Sequence, residues 1–93
     1  MRLVFDIETD GLLDQMTRIH CIWAADIDTG EYFNFTPMTI REGIAFLSRA
    51  DELVAHNGFW FDYEAIRKLY PDFRPKGQLR DSMAESRLVY SNL

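Results

Sequence analysis

The chain has 93 residues, 47% of them hydrophobic and 14% aromatic, and a formal net charge of −5. That length allows one small domain or a piece of one, and that composition supports a packed core rather than a disordered tail. The negative balance argues against nucleic-acid binding by bulk charge, and the longest apolar run, residues 21–25, is too short to cross a membrane.

The chain opens with no basic, apolar and small-residue leader, so secretion is not expected. The single Cys21 can form no internal disulfide, which suits a reducing cytoplasm, and it reads as a core residue. Charge is uneven along the chain. Residues 1–66 hold 12 acids and 4 bases, while residues 67–93 hold 3 acids and 6 bases. A basic flank beside an acidic, metal-charged site would suit a phosphate backbone, although an ordinary solvated face has the same composition.

Residues 2–8 read as a strand that runs through Leu3-Val4-Phe5 into Asp6-Ile7-Glu8. Residues two apart on a strand share a face, so Asp6 and Glu8 project side by side from its end. Neighbouring carboxylates repel, and burying them is costly unless positive charge sits between them. A pair of divalent metal ions is one solution, and it leads to hydrolytic phosphoryl chemistry. A solvated strand end with scattered acids is the plainer reading.

Residues 18–27 and 31–36 read as two further strands joined by a hairpin at Asp28-Thr29-Gly30. Thr39-Ile40-Arg41-Glu42 has the form of a capping box, in which the Thr39 hydroxyl caps the first turn and Glu42 reaches back. Ile40, Ile44 and Leu47 then share one helical face, and the helix ends near Ala50. Leu53 to His56 is a short, mostly apolar strand broken by Asn57-Gly58. A second helix starts near Trp60, with Phe61, Ala65 and Leu69 on one face, and stops at Pro71. Gln78 to Arg80 forms a brief strand. Ser82-Met83-Ala84-Glu85 is a second capping box, opening a helix with Ala84, Leu88 and Ser91 on one side. Asp81, Ser82 and Glu85 are explained by that capping. His20, His56, Tyr63 and Tyr90 read as packed or hydrogen-bonded groups without chemistry.

Three strands in a meander, followed by alternating helices and strands, imply a mixed sheet with the first strand central. Ligands in such sheets sit at the carboxyl ends of central strands, where Asp6 and Glu8 fall.

With these motifs in place, the chain resembles the DEDD 3′–5′ exonucleases, above all the proofreading domain of family-A DNA polymerases from short-tailed bacteriophages. The likeness is carried by Asp6-Ile7-Glu8 followed by Thr9 and Gly11-Leu12-Leu13, and by His56-Asn57-Gly58-Phe59-Trp60-Phe61-Asp62. It is carried further by the segment from Asp81 to Leu88 that continues through Tyr90-Ser91-Asn92-Leu93. The resemblance implies an α/β ribonuclease H-like fold: a mixed five-stranded sheet in the order 3-2-1-4-5 with flanking helices. It implies Asp6, Glu8 and Asp62 as catalytic ligands of a Mg²⁺ or Mn²⁺ pair. Thr9, Leu12 and Asn57 would contact substrate, Leu12 wedging against the last base.

The implied reaction is hydrolysis of the 3′-terminal phosphodiester of single-stranded DNA, releasing a nucleoside monophosphate in the cytoplasm of a bacterial host. The family's third motif, a Tyr or His four residues before a final Asp, is not found before Leu93, and the covering C-terminal helices are missing with it. The expectation is therefore the N-terminal part of an exonuclease domain, completed by the remainder of a polymerase or by a second copy. A free-standing exonuclease acting on RNA or short oligonucleotides, and a non-catalytic fragment that binds nucleic acid or protein, are the alternatives.

Overall fold

The computed structural model describes residues 1–55 and 61–82. The elements are β1 (Arg2–Thr9), β2 (Ile19–Asp26), β3 (Tyr32–Phe35), α1 (Ile40–Ser48), β4 (Glu52–Ala55), α2 (Tyr63–Leu69) and β5 (Gln78–Asp81). One mixed sheet runs β3-β2-β1-β4-β5, the order expected from the resemblance. The β2–β1 and β3–β2 pairs are antiparallel, whereas β4 lies parallel to β1 and to β5.

Alternation decides which side of the sheet is covered. Leu3, Phe5 and Ile7 of β1, Ile22 and Ala24 of β2, and Leu53 and Ala55 of β4 all point to one face. They form one buried cluster with Ile40, Ile44 and Leu47 of α1 and with Tyr63, Ala65 and Ile66 of α2. Both helices therefore pack on the same side. Leu3, Leu47 and Leu53 are fully enclosed, positions where truncation to alanine costs about 2–5 kcal/mol. The opposite face carries Val4, Asp6, Glu8, Cys21, Trp23, Val54 and Arg80. Among the described residues no helix lies over it.

Local chemistry sets the turns. Gly30 adopts φ +77, as the β2–β3 hairpin requires, and Asp26 accepts from the amides of Asp28 and Thr29 to fold the corner. The expected capping box at Thr39 does not form. Thr39 makes no cap hydrogen bond and instead accepts from the Thr36 amide at 2.9 Å. A second threonine three residues upstream supplies a competing local turn. Cys21 is also not in the core: it is half-buried on the open face, directly across from Glu8. The apolar run around it hides an alternation that sends Ile22 and Ala24 inward and Cys21 and Trp23 outward. Among the described residues Phe61 and Asp62 form a π-helical turn that leads into the second helix, whose α-helical part opens at Tyr63. The expected helix from Ser82 onward falls almost wholly outside the described residues.

Tyr63 locks the parallel half of the sheet to α2. Its hydroxyl donates toward the carbonyls of Leu53 in β4 (3.0 Å) and Arg80 in β5 (2.8 Å), and its ring packs 5.7 Å from that of Phe5. Burial pushes this phenol well above its usual titration range. It is a structural residue, as read from the sequence.

Candidate active site

Among the described residues the last β1–β4 pair is Phe5 opposite Ala55, and the last β4–β5 pair is Ala55 opposite Asp81. The next residue of β1 is Asp6. β1 itself runs on to Thr9 along β2, so Asp81 lies level with Phe5 across β4, one residue before Asp6. Asp62, at the start of α2, completes the group. It is only 5% exposed, and its carboxyl is pushed up to about 7 by burial first, then by the charges of Asp6 and Asp81. Every influence on it acts in the same direction. Among the described residues no base forms an ion pair with Asp6, Glu8 or Asp62.

The other end of the sheet is built differently. Arg2 pairs with Asp28 at 2.6 Å and Arg80 reaches back to Glu52 at 2.6 Å. Asp51 is held below the usual carboxylate range by the chain's amino group and Lys76. Charge at the amino ends is neutralised pairwise, whereas the carboxyl ends concentrate negative charge. That polarity places the electrostatic demand for a cation at the edge where ligands bind in open α/β sheets.

Of the residues expected at the site, Asp6 and Asp62 are brought together. Glu8 shares a face with Asp6 two residues farther along β1, and it stands against Cys21. Burial, together with the charges of Glu8 and Asp6, raises the Cys21 thiol. The sulfur is thereby held as the poorly nucleophilic thiol. Thr9 ends β1, with its hydroxyl donating to the Gly11 carbonyl at 2.7 Å. Leu12 is 70% exposed. Asn57 and His56 lie outside the described residues. Among the described residues, no three His, Cys, Asp or Glu side chains stand close enough together to hold a metal ion as they are placed.

Sequence reasoning missed Asp81. It was assigned to helix capping, yet it closes β5, is 1% exposed, and bears on both Asp62 and Tyr63. The available signal was a strand ending in an acid, as the first strand does. The register that aligns the two ends arises only on pairing.

Asp10 builds the loop that presents Leu12. It accepts from the Thr17 amide at 2.8 Å, the Arg18 amide at 3.2 Å and the Thr17 hydroxyl. These bonds hold its carboxyl well below the usual range. Inside the loop, Gln15 and Met16 donate to the Leu12 carbonyl, and Lys68 of α2 donates to the Leu13 carbonyl at 2.7 Å. Asp10→Ala is expected to loosen residues 10–18 while leaving the sheet intact. Amide hydrogen exchange should show lost protection at Thr17 and Arg18 and none at Ile7 or Ile22.

No protein-family model matches the chain. It is 33% identical to a DNA-directed DNA polymerase of Escherichia phage T7 and 34% identical to a DNA-directed DNA polymerase of Enterobacteria phage T3. Each alignment covers 98% of this chain and 14% of the polymerase, so the chain spans about one seventh of those relatives. Nearly the whole chain is thus similar to one region of the phage DNA polymerases.

Proposed function

We propose that the chain is the N-terminal part of a metal-dependent 3′–5′ exonuclease domain of a phage-type DNA polymerase. On this reading it hydrolyses the 3′-terminal phosphodiester of single-stranded DNA to release a nucleoside monophosphate. The observation that carries the reading is the buried Asp62, driven up to about 7 by burial and by the charges of Asp6 and Asp81. Similarity to phage DNA polymerases over nearly the whole chain supports this reading, and a cluster of repelling acids is an expected means of holding hard cations.

The residues fit Mg²⁺ or Mn²⁺. The donors are carboxylate oxygens, and no base among the described residues offsets their charge. Asp6, Glu8 and Asp62 would hold a metal pair that lowers the pKa of the attacking water and stabilises the leaving oxygen when bound. Asp81 sets the charge around Asp62 from beneath. Thr9 and the exposed Leu12 lie at and just after the end of β1 and would meet the terminal nucleotide, and Asn57, outside the described residues, would contact it as the resemblance implies. The remainder of the polymerase or a second copy of the chain would supply the groups of the third motif.

The test is incubation of the chain with 5′-labelled single-stranded DNA in Mg²⁺ or Mn²⁺, with EDTA and Asp6→Ala as controls. A ladder shortening from the 3′ end, lost with either control, is the expected result. Loss of one catalytic ligand should lower the rate by about 10² to 10⁴-fold, the range for groups acting on the reacting atoms. A folded chain that binds no divalent ion would sink the reading and leave a non-catalytic binding fragment.

A further inference from the structure

A second candidate site lies in the helical layer, across the sheet from Asp6 and Glu8. A cleft of about 500 Å³ opens between α1 and the turn that follows α2, lined among others by Arg41, Ile44, Leu69, Tyr70, Phe73 and Arg74. That volume is in the range that encloses small organic ligands. Its base is apolar: Ile44 and Phe73 are buried, and Leu69 packs against the core. Its rim is cationic. The Arg41 guanidinium stands 5.6 Å from the centre of the Tyr70 ring, and among the described residues it pairs with no carboxylate.

Arg74 spends Nη1 on the carbonyls of Pro71 (2.8 Å) and Phe73 (3.0 Å). Those two bonds fix its position and leave the remaining N–H groups of the fork for an outside acceptor. Among the described residues Asp72 is the sole acid on the lining, against Arg41 and Arg74, in a chain of net charge −5.

From this cleft we infer a binding site for a nucleotide unit, its phosphate held between Arg41 and Arg74 and its base lying on Tyr70 above the apolar floor. Arginine presents a planar fork that matches phosphate oxygens in pairs, and both guanidinium and phenol planes stack against bases. An apolar ligand would leave both arginines unused, and inorganic phosphate would leave the floor unused. The source is a free mononucleotide or one unit of a strand. The inference stands on the cleft alone and does not rest on the exonuclease reading.

The experiment is an NMR titration of the ¹⁵N-labelled chain with 5′-dAMP in EDTA, so that no metal-held phosphate contributes. Shifts at residues 41–48 and 69–74, weakened about tenfold or more in Arg41→Gln, are the expected result. Asp6→Ala should leave them unchanged, which separates this site from the carboxylates. A (dT)₈ arm distinguishes the sources. Tighter binding than dAMP at the same residues identifies a strand, and weaker binding identifies a free nucleotide. Equal binding by inorganic phosphate, shifts confined to residues near Asp6, or no shift in a folded chain would each overturn the proposal. The thermal midpoint of Arg41→Gln, whose side chain touches only the Tyr70 ring among the interactions described, reports that the fold is kept.

Discussion

Asp62→Asn is expected to raise the thermal midpoint of the chain at pH 8 and, in the same molecule, to remove 3′-end cleavage. The carboxyl is raised from 3.8 to about 7 in the folded chain. An acid whose folded pKa lies above its unfolded value favours folding when protonated. Its contribution is therefore fully present below about pH 4 and is lost as pH rises through 7. Above pH 7 the folded chain must hold the charge at a cost on the order of a few kcal/mol. Asparagine removes the charge and keeps the shape.

The difference in stability between the variant and the parent should be largest at pH 8 and should close toward pH 4. For a domain this small each kcal/mol is worth about 4–8 °C. Asp10, Asp28 and Asp51 are lowered, not raised, and lose their contributions on the acid side. They act equally in both proteins, so the difference isolates Asp62. Melting curves from pH 4 to 8 in EDTA measure it, and a gap that does not vary with pH would refute this account. Adding Mg²⁺ should stabilise the parent at pH 8 and leave the variant unmoved, because only the parent offers the full carboxylate set.

The opposite signs of the two effects explain why such a site is held at all. Asp62 buried under the charges of Asp6 and Asp81 is a poor arrangement for stability, and an uncharged group at position 62 would serve the fold better. On the proposed reading, a cation arriving among these acids would offset that cost. The neutralised amino ends of the same strands, with Arg2, Arg80 and Lys76 each paired, show that this sequence pairs its charges elsewhere.

Much of this was legible in the sequence, for identifiable reasons. β1, β2 and β3 were readable because alternation and the Asp28-Thr29-Gly30 turn are local signals. Their boundaries moved by only a residue or two on folding. The face of α1 was readable, since Ile40, Ile44 and Leu47 fall on one stripe and are all buried, whereas of the expected face Phe61, Ala65 and Leu69 only Ala65 is buried, and α2 buries Tyr63 and Ile66 beside it. The nearness of Asp6 to Asp62 came from the family resemblance. Hydrophobic periodicity says nothing about which loop ends meet. What stayed hidden depended on pairing. Asp81 gained its place only when β5 aligned with β4. Cys21 turned outward because it precedes Ile22 on β2, which points into the core, and strand neighbours face opposite sides. Thr39 lost its capping role to a competing neighbour, Thr36, and a motif match carries no information about such competition.

Gly77→Ala is expected to be among the most damaging single-methyl additions in the chain. A Cβ at this position would meet the Asp51 carbonyl oxygen at 2.0 Å, its carbon at 2.2 Å and the Ala50 oxygen at 2.6 Å. All three are backbone atoms, so no side-chain rotation relieves the contact. The segment must lift away, and two bonds hold it there: Lys76 N–H to Ser48 O at 2.8 Å and Gln78 N–H to Asp51 O at 3.1 Å. Overpacking costs about 1–3 kcal/mol, and each buried bond left unmade adds about as much again. A domain of this size is stable by about 5–15 kcal/mol at most, so a large share of the total is lost.

Gly11→Ala is the matched control, since its nearest neighbour would be 3.7 Å away. Urea denaturation should show a large drop in midpoint for Gly77→Ala and little change for Gly11→Ala. Whatever fraction of Gly77→Ala stays folded should also have a displaced β5. Asp81 would then withdraw from Asp62, and the Asp62 carboxyl should titrate lower than in the parent. A ¹³C-detected titration of Asp62 reads this directly. An unchanged titration in a folded Gly77→Ala protein would mean that Asp81 does not act on the site through the docking of β5.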